Sequence, residues 1–153
     1  MRINVLWCRN LGLALVALFV LGGTVAAQRA TAAAGDAHVR SSPAFAELLL
    51  RKAELQSELE ALRIDYTEDF PRVIDLKHEL GLIDAEVKTM LATKPDESGR
   101  LTLALGKLLV KRAELETQHW KLLANYKEEH PDVKRAKQRV TIYDQAIKEI
   151  LGN

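Results

Sequence analysis

The chain has 153 residues, a formal net charge of +1, and 48% hydrophobic but only 5% aromatic residues. Ala, Leu, Glu, Lys and Arg supply 80 of the 153, which is the composition of long helices and coiled coils. It argues against β-sandwiches and barrels, and the length leaves no room for a multi-domain enzyme.

The N-terminus reads as a secretory signal over residues 1–27. Arg2 and Arg9 form a basic start, Leu11 to Leu21 is an apolar run shorter than a spanning helix needs, and Gly22 to Ala27 are mostly small. Cleavage is expected before Gln28, and the alternative is an uncleaved inner-membrane anchor through residues 11–27. Losing Arg2 and Arg9 takes the net charge from +1 to −1. That balance gives no general drive toward nucleic acid or anionic membrane. The single cysteine, Cys8, would leave with the signal, so the mature chain is expected to be periplasmic or secreted and free of thiol chemistry. Residues 28–42 are rich in Ala, Ser, Thr and Gly and read as a flexible linker.

From Pro43 the apolar residues recur with helical period. The first seam is Leu48, Leu55, Leu59, Leu62 and Tyr66, interrupted by Lys52. The second is Val73, Leu76, Leu80, Ile83, Val87 and Met90. The third is Leu101, Leu105, Leu108, Leu115, Leu122 and Tyr126. The fourth is Val133, Ala136, Val140, Tyr143, Ile147 and Ile150. Pro43, Pro71, Pro95 and Pro131 each lie at or just before a helix start, where the missing N–H costs nothing. The expected helices are 44–67, 71–92, 97–127 and 131–151, within a helical domain 43–153. Gly81 and Gly106 fall inside two of them and weaken them locally.

The first two helices repeat in the last two at a constant offset of 60 residues, with 14 identities over 46 gapless positions. The matches include Leu55 with Leu115, Tyr66 with Tyr126, Pro71 with Pro131, Val73 with Val133, and Asp84 with Asp144. The chain therefore reads as two tandem αα-hairpins, repeats 43–93 and 97–153. Each hairpin breaks at Tyr-x-x-x-x-Pro-x-Val: Tyr66, Pro71 and Val73 in the first, Tyr126, His130, Pro131 and Val133 in the second. The tyrosine is expected to close one helix and cover the hairpin end, and the proline to start the return helix.

The break segments Leu62–Leu76 and Tyr126–Val133 resemble the L-R-x-x-Y-x-x-x-H-P-x-V segment of polysaccharide co-polymerases, the bacterial chain-length determinant proteins. That resemblance implies a periplasmic helical hairpin and a setting in surface-polysaccharide assembly. It covers roughly 40 residues. The family's membrane-spanning helices, α/β domain and kinase have no counterpart here, and Phe70 stands where the family has histidine.

No spacing recommends catalysis or a cofactor. His38, His78, His119 and His130 include no i, i+4 pair. His119 stands at the repeat position of Leu59 and is expected to pack rather than ligate. There is no Gly-rich phosphate loop and no nucleophile elbow. Lys134, Arg135, Lys137 and Arg139 form a basic cluster absent from the first repeat. It offers a contact for anionic glycan or lipid headgroups, or a solvated face neutralised by Glu128, Glu129 and Asp132. Apolar residues beside the seams, among them Leu49, Leu50, Ile64, Leu82, Leu109, Val110 and Ile142, need a wider core or a partner.

The expected protein is all-α, coiled-coil-like, either a four-helix bundle or an extended hairpin pair, and self-associating. Its expected role is a non-enzymatic scaffold or adaptor with protein partners in the cell envelope. A periplasmic holdase chaperone is the alternative, and a metal-binding helical protein is a weaker one.

Overall fold

A computed structural model describes residues 37–152. The leader, the alternative anchor, Cys8 and most of the linker lie outside the described residues. Among those residues the fold is all-helical, and no helix is long and apolar enough to cross a membrane.

Four long helices carry the fold: α1 (Pro43–Asp65), α2 (Pro71–Leu91), α3 (Leu103–Leu123) and α4 (Pro131–Leu151). Proline opens α1, α2 and α4. The Ser42 hydroxyl accepts the Phe45 N–H at the start of α1, and the Thr102 hydroxyl accepts that of Leu105 at the start of α3. The third helix thus begins six residues later than expected. Pro95–Arg100 forms a separate 3-10 turn, and its Asp-Glu-Ser-Gly stretch favours a turn over a helix. The first and third helices also end early, because the breaks take up Tyr66 to Phe70 and Tyr126 to His130.

The two hairpins pack through α3. It lies against α1 and α2 of the first hairpin and against α4 of its own, whereas α4 rests mainly on α3. The result is less symmetric than an ideal four-helix bundle. Contacts fix the register: Ala44 and Glu47 meet Gly106, Arg51 reaches Glu114, and Asp75 takes Lys121. Hence α3 runs parallel to α1 and antiparallel to α2. Both breaks point to one end of the molecule.

The core is densest at the other end. Val39, Phe45, Leu48, Leu55, Leu76, Ile83, Met90, Leu101, Leu105 and Ile147 belong to one buried cluster. Val39 is fully buried, so the end of the expected linker is part of the domain. Ala44 donates its N–H to the Leu101 carbonyl (3.3 Å), and Arg100 donates to the carbonyl of Leu151. Gly152, at φ 72°, terminates α4 in the left-handed conformation that suits glycine. Leu82, Leu109 and Val110 are absorbed by the core or packed against it.

Candidate functional site

The repeat is a repeat of contacts. The Tyr66 ring stacks on Phe70 with centroids 4.1 Å apart, and the Tyr126 ring on His130 at 4.2 Å. Tyr66 and Tyr126 donate their N–H to Leu62 and Leu122, and Phe70 and His130 donate theirs to Thr67 and Lys127. Both tyrosines stand half-exposed outside the helices rather than in the seam where the period put them. Pro71 and Pro131 open the return helices, and Val73 and Val133 are buried beneath them. One difference separates the copies. The His130 Nδ1 accepts the Asp132 N–H (3.2 Å) and lies 3.7 Å from the Asp132 carboxylate, which Phe70 cannot reproduce.

The gap in each seam is the second repeated contact. Lys52 crosses the first hairpin to Asp84 (2.5 Å), and Arg112 crosses the second to Asp144 (3.1 Å). In the sequence Lys52 reads as an interruption of the seam. The signal was present, because both seams skip a basic residue opposite a matched aspartate.

Where α3 meets the first hairpin, the contacts are charged and specific. Arg51 of α1 binds Glu79 of α2 through Nε (3.0 Å) and Nη2 (2.5 Å), and lies 3.5 Å from Glu114 of α3. Burial works against the Arg51 charge, but the hydrogen bonds and field of Glu79 prevail and its pKa is raised. Arg112 joins Glu86 of α2, and Lys121 joins Asp75 of α2 (2.6 Å). The His78 ring stacks on Trp120 at 4.1 Å. Asp75, Glu79, Leu82 and Glu86 recur at i, i+4, i+7 and i+11. They form one face of α2, covered by α3.

Exposed pairs hold the breaks. A hydrogen bond from Lys77, then Arg63, lowers the Glu68 pKa. Arg135 does the same for Asp132, with His130 adding a smaller effect.

The basic cluster does not form one surface. Lys134 and Lys137 line a groove of about 250 Å³ with His119, Glu128, Glu129 and Val133. Arg135 and Arg139 line a second groove on the other flank of α4, with Gln118, Leu122, Asp132 and Ala136. His119 is half-buried at the first groove.

Large apolar side chains remain on the outside: Ile64 (83% exposed), Leu50 (57%), Ile142 (53%), and Leu49, Leu103 and Ile74 at lower values. Fold and surface together define an all-α protein of two tandem hairpins, with no cluster of three or more metal-ligating side chains among the described residues. No family model, curated protein or solved structure matches the chain.

Proposed function

We propose that the chain is an exported, non-catalytic helical scaffold that works by protein–protein contact in the cell envelope, in the setting of surface-polysaccharide assembly or export. The observation that carries this reading is the exposure of Leu50, Ile64 and Ile142 on helices that also carry the ion pairs Arg51–Glu54, Arg63–Glu60 and Arg135–Asp132. Apolar side chains rimmed by charge suit a docking surface. The leader-like N-terminus supplies the compartment, and the resemblance of the breaks supplies the polysaccharide setting.

The test is a photo-reactive residue at position 50 or 142 of the protein in its native cell. A discrete cross-link to an envelope protein, beside a mature chain that starts at Gln28, is the expected result. A protein that keeps residues 1–27 in the cytoplasm refutes the localisation. A smear of unrelated unfolded polypeptides, together with suppressed client aggregation at stoichiometric ratio, replaces the scaffold reading with the holdase.

A further inference from the structure

The repeat assigns α3 a place with respect to the first hairpin, and no described residue occupies the same place over the second hairpin. A shift of 60 residues turns the α2 face covered by α3 into Arg135, Arg139, Ile142 and Ala146 of α4. Asp75 and Glu79 are buried beneath α3, but Arg135 and Arg139 are exposed and Ile142 keeps 53% of its surface.

The same shift identifies what fits there. The face by which α3 docks carries Gly106, Val110, Ala113, Thr117, Trp120 and Lys121. The first four are buried or half-buried, and the last two contact His78 and Asp75. Its counterparts on α1 are Ala46, Leu50, Ala53, Ser57, Glu60 and Ala61, all exposed. Ala46, Leu50, Ala53 and Ser57 recur at i, i+4, i+7 and i+11, so they form a stripe of small and apolar side chains along the outside of α1, with Glu60 and Ala61 at its end.

The charges follow the exchange. Glu114 of α3 sits beside Arg51 and Glu79. Its counterpart Glu54 would meet Lys111 and Arg139, the counterparts of those two residues. Asp75 meets Lys121 in the first hairpin. In the second, Arg135 would find Ala61 at that position and Glu60 one residue before it. The receiving helix thus exchanges two carboxylates for Arg135 and Arg139, and the approaching helix brings Glu54 and Glu60 near them.

We propose that α1 of a second copy of this chain docks on the α3–α4 face of the first, as α3 docks on α1 and α2 within the chain. The contact is head-to-tail, and such contacts build chains or rings rather than closed twofold dimers. Ala46 stands where Gly106 makes the closest internal approach, so the intermolecular crossing is slightly wider. This inference gives the scaffold a first partner, and the two fail separately, because an envelope cross-link can survive in a monomeric protein.

Sedimentation velocity of the full chain over about 1–100 μM at low salt tests it. Wild type is expected to show an average mass that keeps rising beyond a dimer and falls with added salt. R135E/R139E and E54K/E60K, each with wild-type helicity by circular dichroism, are expected to associate at least tenfold more weakly. Their equimolar mixture is expected to recover association. A monomer throughout, a mass that stops at a dimer, variants that associate like wild type, or a mixture without recovery each overturns the proposal. Should a variant lose helicity, Ile142→Asp replaces it, and undiminished association of that variant overturns the proposal too.

Discussion

Gly81 and Gly106 look alike in the sequence, and the structure gives them opposite roles. A Cβ built on Gly106 would lie 2.8 Å from the Cα of Ala44, 2.9 Å from the Cβ of Glu47 and 3.0 Å from the Ala44 carbonyl oxygen. Carbon atoms prefer separations of about 3.5–4.0 Å. Two of the three obstacles are backbone, and Ala44 is tied by its N–H to Leu101, so α1 cannot easily move aside. Alanine is favoured over glycine in a helix by about 1 kcal/mol, and overpacking a tight contact costs about 1–3 kcal/mol. With backbone as the obstacle the upper part of that range applies. Gly106→Ala should then lose about 2 kcal/mol net, a fall of roughly 8 °C in Tm for a domain near this size. At Gly81 the same Cβ meets nothing within 4 Å. Gly81→Ala should gain close to the full propensity difference, about 0.8 kcal/mol or roughly 3 °C. Thermal unfolding followed at 222 nm compares the two variants with wild type. If Gly106→Ala is as stable as Gly81→Ala, the close crossing of α1 and α3 is wrong.

Two other predictions concern charge. Glu79 is almost wholly buried and depends on Arg51, so Arg51→Ala should cost about 3 kcal/mol by leaving a buried carboxylate unpaired. Arg51→Met combined with Glu79→Met should recover most of that loss in urea unfolding, and a double variant no better than the single one would contradict this account. The Asp132 pKa is lowered by Arg135. Its stabilisation is therefore present above the ordinary aspartate pKa, near 3.9, and disappears as pH falls through the lower folded value. Asp132→Asn should be slightly less stable than wild type at pH 7, with the gap closing only as pH falls below the ordinary aspartate range and through the lowered Asp132 pKa. A gap that stays constant with pH would assign the loss to something other than the carboxylate charge.

Within each hairpin the fold was legible in the sequence. Leu55 and Leu115, Val73 and Val133, and the prolines that open the return helices answer to period and steric rules acting on neighbouring residues. The tyrosines were placed less well. Tyr66 continues the seven-residue spacing, but the extended backbone before proline swings its ring out of the seam onto Phe70. The joint between the hairpins was not legible at all. Gly106 reads as a helix weakness until Ala44 is set against it, and Arg51 reads as a flanking charge until Glu79 and Glu114 converge on it. Such contacts join residues about 30 to 60 positions apart, and no local period encodes them. The basic cluster shows the same limit. Four cations within six residues look like one patch, yet the turn of the helix sends Lys134 and Lys137 to one flank and Arg135 and Arg139 to the other.

The uneven support of the helices has a consequence for the order in which the molecule is made. A chain synthesised from its N-terminus completes the α1–α2–α3 body once residue 123 is available, because every face that α3 must cover already exists. The last helix is then laid on a finished template, and its loss removes mainly one interface. Its first half, from Pro131 to about Tyr143, buries Val133 and Ala136 outside the main cluster and should be the section that opens first. Amide hydrogen exchange there should proceed at a free energy below that of global unfolding, whereas the amides of α3 should exchange only when the whole molecule unfolds.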